Sequence, residues 1–273
     1  MKSSRAYLSR VSRDPGRHER QPLASLDPLA STAWSPWPVP EVLETTPSTM
    51  ADIERRASAG APEGSVVVAE EQTAGRGRRG RTWDSAARAG LWWSLLLRPR
   101  AQADRLGWLP LVVGVGVARG LEEAAGVTVA LKWPNDVLMD GRKLAGILAE
   151  RLADGSVVVG VGINVDQDET ELPEGGGSLR TSGISADRTA VLIDVLAAIA
   201  VTYREWLAGA DVIQEYADLS ATLGHDVHAD LGDRVVIGHA VRLGASGELV
   251  VVDAEGVEHE LSAGDVTLAR REA

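Results

Sequence analysis

Two strongly apolar runs, Ser65 to Ala69 and Leu91 to Leu97, stand on either side of a polar, glycine-rich stretch from Glu70 to Gly90. The first run is β-branched and the second is apolar except at Ser94, so both read as strands buried in a sheet. The stretch between them is therefore a long loop fastened to the core at both ends, and the fold must close around it. Its centre, Gly75-Arg76-Gly77-Arg78-Arg79-Gly80-Arg81, packs four arginines and three glycines into seven residues, with Gln72 before it and Trp83 just after. Glycines let backbone N–H groups approach an anion, and guanidinium forks match phosphate or carboxylate oxygens in pairs. A polyphosphate or an acyl phosphate suits such a loop, with Trp83 offering a face to a base. A solvated basic loop, or an arginine–glycine segment that binds RNA, has the same composition. Those segments are repetitive and terminal, whereas this one is a single internal copy between buried strands. It is not a P-loop, because G-x-x-x-x-G-K-[ST] is absent, and no G-x-G-x-x-G opens a helix after a strand.

The charge balance limits what the loop can serve. Lys and Arg number 28 against 39 Asp and Glu, a net charge of −11 that disfavours long-range attraction to nucleic acid or an anionic membrane. Cysteine is absent, which excludes disulfides, thiolate zinc sites and a cysteine nucleophile. The longest apolar stretch, Leu106 to Ala118, is broken by Pro110 and glycines and falls short of the roughly 20 residues of a membrane helix. The first thirty residues lack the apolar block of a signal peptide. A soluble, cytoplasmic protein is the expectation.

The 273 residues fit one substantial domain and one small one. Residues 1–35, rich in Arg, Ser and Pro without periodicity, read as a disordered arm. A main domain is expected over 36–222 and a small β-domain over 223–273. From Val42 a short strand runs through Leu43 to Thr46. A helix follows from about Thr49, where Thr49-x-x-Asp52 resembles a capping box, and Gly60 ends it. Trp108, Leu111, Val112 and Val115 share a helical face, with Pro110 in the first turn and Gly126 past the end. Val127 to Leu138, Leu144 to Leu152 and Ser156 to Val165 read as strands, and Asp140-Gly141 and Asp154-Gly155 make them antiparallel hairpins. A helix over Ala190 to Ala208 follows a loop with Gly175, Gly176 and Gly177, expected to be mobile. Beyond Leu223 come short strands at Val235 to Val241, Glu248 to Asp253 and Val257 to Leu261, the pattern of a small barrel.

Two further segments can carry chemistry. Lys132-Trp133-Pro134-Asn135-Asp136 is followed after a turn by Arg142-Lys143-Leu144-Ala145-Gly146, with Ile147 and Leu148 continuing the strand. A rigid bend at Pro134 presents Asp136 for magnesium or a hydrogen bond, and Lys143 is placed to face a carboxylate or phosphate; taken alone, a lysine at a strand start is more often solvent-exposed in a plain charged hairpin. In Gly160-Val161-Gly162-Ile163-Asn164-Val165, alternating glycines leave room for something to approach the strand, and Asn164 can read a base edge or ribose. A bulged strand with a turn asparagine is the plain alternative. Neither H-E-x-x-H nor G-x-S-x-G occurs, and His225-x-x-His228 lacks a third ligand, so the pair reads as two polar side chains facing water.

Taken in order, the arginine–glycine loop, K-W-P-N-D and Lys143-Leu144-Ala145-Gly146 resemble the motifs of biotin protein ligases, over about 230 residues from the strand before Ser48 to the C-terminus. The resemblance implies an α+β fold of the class II synthetase and biotin ligase kind. A mixed sheet with helices on one face would be followed by an SH3-like barrel. It implies ATP and biotin as substrates with Mg2+, and the biotin acceptor domain of a biotin-dependent carboxylase as partner. By position, Ser48, Thr49, Gln72, Gly75, Arg76, Gly77, Arg78 and Lys143 would contact biotin, with Gly146 and Leu148 lining its pocket. Arg78, Arg81, Trp83, Lys132, Asn135 and Asn164 would serve the nucleotide. Lys143, Arg76, Arg78 and Asp136 would act in catalysis, Asp136 also as a metal ligand. Met50 departs from the asparagine usual in relatives. Residues 1–35 show no helix-turn-helix pattern, so no operator binding is expected, and a homodimer is left open. The implied chemistry is adenylation of biotin's carboxylate and transfer to an acceptor lysine. Lipoate or octanoate ligases and transferases share the fold class. A nucleic-acid-binding module and a non-catalytic sensor are the rivals from other classes.

Overall fold

The computed structural model describes residues 20–24, 26, 37–99 and 103–268. Its core is a seven-stranded sheet in the order β1-β2-β3-β7-β6-β5-β4. The strands are β1 (Glu41–Thr46), β2 (Val66–Gln72), β3 (Gly90–Leu97), β4 (Ala130–Lys132), β5 (Asp136–Met139), β6 (Arg142–Arg151) and β7 (Val157–Asn164). Only β1 and β2 pair in parallel, the rest antiparallel, so the sheet is mixed as expected. The two apolar runs that opened the sequence reading are β2 and β3, and they are direct neighbours. The run over Val127 to Leu138 is not one strand: the bend at Trp133-Pro134 divides it into β4 and β5, which pair with each other. Both Asp-Gly hairpins form, and at the first of them Asp140 and Gly141 take φ of 52° and 74°, the handedness that matches a two-residue hairpin to the twist of its strands.

Three helices, α2 (Leu109–Ala125), α3 (Arg188–Leu207) and α4 (Val212–Asp218), cover one face of the sheet. The fourth, α1 (Thr49–Ser58), lies on the other face, where Met50, Ile53 and Ala57 pack on Val67, Leu96 and Val158. Period-two alternation accounts for this: Val66 and Val68 face the large core and Val67 faces α1. The expected capping box does not form. Ser48 is the N-cap, Thr49 turns its hydroxyl toward Gln72 and Ser94, and Asp52 accepts from Thr46 Oγ1 at 2.6 Å. No periodicity marks α4, whose seven residues are too few to show one.

A second sheet, wholly antiparallel, follows in the order β11-β10-β9-β8-β12, from β8 (Asp226–Asp230), β9 (Val235–Leu243), β10 (Leu249–Val252), β11 (Glu258–Leu261) and β12 (Asp265–Leu268). Two indoles of the first domain hold it: Trp108 Nε1 donates to Ala245 O at 2.8 Å and Trp133 Nε1 to Gly247 O at 3.0 Å. Within the span 1–35, residues 20–24 and 26 are described and are docked rather than free, with Leu26 4% exposed. The rest of that span lies outside the described residues.

Helices α2 and α3 meet at glycines. A Cβ on Gly120 would lie 2.3 Å from Val195 Cα, and one on Gly116 2.7 Å from Ile199 Cα. Alanine is about 1 kcal/mol better than glycine inside a helix, so a loss on substitution isolates the packing. Gly120→Ala is expected to lower unfolding free energy by about 1–3 kcal/mol through overpacking. Urea denaturation checks this; a stabilised variant would mean the helices separate at no cost.

Candidate active site

A cavity of about 850 Å³ opens where β6, β7, the arginine–glycine loop and the second sheet meet. Every site residue singled out from the sequence lines it except Gly75. Gly75 instead braces the loop: its carbonyl accepts from Trp83 N at 2.9 Å, and a Cβ there would stand 2.4 Å from Trp83 O.

Glycines shape the floor. Gly146 of β6 and Gly162 of β7 are cross-strand partners, and added Cβ atoms would stand 2.7 Å and 2.5 Å from the Trp83 ring. The indole thus lies across a platform that only glycine leaves open. At Gly160 a Cβ would meet Met50 Cγ at 2.9 Å. The space read from the alternating glycines is therefore taken by the chain's own Trp83 and Met50. Beside this floor runs a polar chain: Gln72 Oε1 accepts from Thr49 N at 2.9 Å, Thr49 Oγ1 lies 2.7 Å from Ser94 Oγ, and Gln72 Nε2 donates to Ser85 Oγ at 2.9 Å. Ser48 Oγ and Trp83 Nε1 are buried without a hydrogen-bond partner among the described residues. Orphaned groups of this kind, on a cavity wall, mark where a ligand's polar atoms fit.

Five cationic side chains line the cavity: Arg76, Arg78, Arg81, Lys132 and Lys143. Lys143 Nζ is 2.6 Å from Asp136 Oδ1 and 5.3 Å from the Trp83 ring centroid. Arg76 is taken by Glu54 of α1 and by Glu150 of β6, the latter at 3.4 Å. Arg81 bonds Asp265, and Arg79 reaches the same carboxylate at 3.4 Å and Asp230 O at 3.1 Å. Arg78 differs. It donates to Asn135 Oδ1 at 3.0 Å and Gly264 O at 3.3 Å, both neutral. Burial pulls its guanidinium below the ordinary value, against the nearby charges of Asp265 and Asp136. A half-buried cation without a contacting counter-ion is a site for an anion.

Two asparagines hold structure rather than present a free edge. Asn135 Nδ2 donates to Ile147 O at 2.9 Å while its oxygen holds Arg78. Asn164 Nδ2 donates to Gly177 O at 2.9 Å, and its oxygen accepts from Gln167 at 2.9 Å. The base-edge reading of Asn164 thus gives way to a bracing role, because both its amide atoms are engaged. The glycine loop expected to be mobile is tied down: Lys143 N donates to Gly175 O at 2.8 Å and Gly177 N to Lys143 O at 2.9 Å. Met50, noted in the sequence as a departure from the family pattern, lines the cavity, whereas Ser94, the wall over 171–176 and the second-domain rim at Gly264 to Thr267 were not singled out as site residues. Ser94, the lone polar residue of β3, was the available signal; the rim had none.

Residues 41–168 match the model of the biotin/lipoate A/B protein ligase family. The chain is 39% identical over 246 residues to a biotin–[acetyl-CoA-carboxylase] ligase of Mycobacterium tuberculosis, covering 87% of this chain and 92% of the relative. It is 35% identical over 234 residues to the bifunctional ligase/repressor BirA of Bacillus subtilis, covering 82% and 71%. Among solved structures, a biotin protein ligase from Aquifex aeolicus in complex with biotin and ATP superposes with a TM-score of 0.73 at 33% identity, covering 85% of this chain and 98% of that one.

Asp265 gathers two of the loop's arginines. Asp265→Ala is expected to raise the initial rate of trypsin cleavage between residues 76 and 81 about fivefold, the scale of two partly exposed ion pairs. Limited digestion with mass mapping measures it, and an unchanged rate would show that the loop is held by its backbone bonds alone.

Proposed function

The chain belongs to the biotin protein ligase family, and from that membership we propose that it joins biotin's carboxylate to the α-phosphate of ATP, making biotinyl-5′-adenylate. It then passes the biotinyl group to a lysine of an acceptor domain in a biotin-dependent carboxylase. The observation that carries the reading is Arg78, half-buried on the cavity with neutral partners only.

In the first step a carboxylate oxygen forms a bond to the α-phosphorus while the bond to pyrophosphate breaks. Both reactants are anions, so the barrier falls where cations face the phosphorus and its developing charge. Arg78 and Lys132 are suited to this, since among the described residues neither is ion-paired with a contacting carboxylate. Lys143 adds a third charge, oriented by Asp136. Arg76, grouped above with the catalytic set, is already balanced by Glu54 and Glu150 and contributes less. The orphaned Ser48 Oγ offers a polar contact to the ureido group of biotin, and Trp83 and Met50 an apolar surface to the rest. In the second step the acceptor amine attacks the acyl carbon, loses a proton and expels AMP. The covering loop keeps water from the mixed anhydride until then.

Mg2+ belongs with ATP in this reaction, and Asp136 would offer it one carboxylate, with the phosphate oxygens supplying the rest. Asp136 Oδ1 lies 2.6 Å from Lys143 Nζ, and among the described residues no three candidate ligands converge. Among the described residues no helix is long and apolar enough to cross a membrane. An acceptor that is a carrier protein rather than nucleic acid agrees with the net charge of −11.

Purified full chain with ATP and Mg2+ is expected to release pyrophosphate when biotin is added, and to label a biotin acceptor domain. Activity with lipoate alone would move the substrate to the neighbouring branch of the family, and none with either would overturn the reading. Lys143→Ala is expected to reduce kcat/KM roughly a hundredfold, the about 3 kcal/mol of a charge-assisted contact made mainly in the transition state. Unchanged turnover would remove Lys143 from the mechanism.

A further inference from the structure

We infer that residues 20–24 form a strap that fixes the cavity wall over 165–177, and that Arg20 is a positioning residue for the ATP-dependent step; the second part rests on the function proposed above.

The strap is anchored by a buried ion pair. Arg188, at the start of α3, and Glu70, near the end of β2, lie 2.7 Å apart with side chains 6% and 2% exposed. Such a pair is tolerable only when its remaining donors and acceptors are satisfied. Here two of those bonds come from the strap's backbone: Leu23 N donates to Glu70 Oε1, and Arg188 Nη2 donates to Gln21 O at 2.8 Å. Arg188 Nη1 donates to Gly90 O at 2.9 Å. Ala24 N adds a bond to Thr189 Oγ1 at 3.0 Å, and Leu26 is buried in the main core. These contacts fix where Arg20 falls. Its guanidinium donates to Glu171 Oε1 at 2.9 Å, to Glu171 Oε2, and to Asp166 O at 3.0 Å.

Glu171 is the reason this matters. It lines the main cavity, in the middle of a wall whose two ends are held by backbone bonds, Asp166 N to Ala89 O at 2.6 Å and Lys143 N to Gly175 O at 2.8 Å. The Arg20 fork holds the Glu171 carboxyl below its ordinary value. Without Arg20, that ionised carboxylate would face a cavity that has to admit a triphosphate and a second carboxylate. ATP carries most of the negative charge, so its binding suffers more than biotin's. The neighbouring Glu169 is taken by Arg142 at 2.6 Å on both oxygens and does not line the cavity, so Glu171 is the carboxylate of this wall that Arg20 reaches.

The test compares full-length wild type, Arg20→Ala, Glu171→Gln and the double variant by amide hydrogen exchange and by steady-state adenylation. Arg20→Ala and Glu171→Gln are each expected to speed exchange over 166–176 roughly tenfold, leaving the core strands unchanged. Arg20→Ala should also raise KM for ATP about three- to tenfold, the worth of a partly exposed bidentate pair, with kcat altered less than twofold. The double variant should recover KM but not the slow exchange, a split that simple loss of fold does not produce. Unchanged exchange in both single variants overturns the strap, and an unchanged KM for ATP in Arg20→Ala overturns the role of Arg20. If wild type forms no adenylate, the proposed function fails, while the exchange comparison still decides the strap.

Discussion

The site depends on bringing cations together in a protein of net charge −11 without letting them repel the loop apart. Two like charges about 6 Å apart cost on the order of 3 kcal/mol at an effective dielectric near 20, so several of them on one cavity need acceptors close by. The acceptors come from everywhere: Glu54 on α1, Glu150 on β6, Asp136 on β5 and Asp265 on β12. Glu54 and Glu150 together direct Arg76, Asp136 directs Lys143, and Asp265 directs both Arg79 and Arg81. Arg78 is held instead by an amide and a backbone carbonyl, which fix its geometry and leave its charge unspent.

Placement of these clamps follows from the sheet. Because Gly146 and Gly162 are cross-strand partners in its middle, Trp83 can lie flat across β6 and β7, and the chain entering and leaving that indole must run over the cavity. Trp83 also meets Trp92 edge-on, with centroids 6.3 Å apart, so the loop's exit is fixed to β3. The same β7 accepts Met50 at Gly160, which lets α1 approach the face opposite the other helices. The cavity thus lies on the thin side of the sheet, and the bulky helical layer of α2, α3 and α4 on the reverse gives the strands their rigidity.

What the sequence revealed divides along physical lines. Strands β2, β3, β6 and β7, both Asp-Gly hairpins and α2 with its Gly126 cap were legible, because periodicity and turn chemistry are local. The site's residues were legible as types and as an order of motifs, and nearly all converge on one cavity. Their partners were not. That Asn135 holds Arg78, that Asn164 braces Gly177, and that Asp265 collects Arg79 and Arg81 across 186 and 184 residues are facts of tertiary contact, without any local pattern. The glycines of β7 show the same limit, since the sequence declared a close approach but could not say that Trp83 and Met50 make it.

The distribution of sequence distances bears on how such a site keeps a reactive intermediate. An acyl adenylate survives only if the walls around it order together, and walls from one local segment can open independently. Here they are cross-tied: the arginine–glycine loop to β12 through Asp265, the K-W-P-N-D bend to the second sheet through Trp133 Nε1 and Gly247 O, and the wall over 165–177 to both Lys143 and Arg20. Opening one wall therefore strains bonds in at least one other element, and each tie contributes only a modest free energy on its own. Closure is cooperative for that reason, with the second sheet acting as the common support against which the loop and the bend are both set.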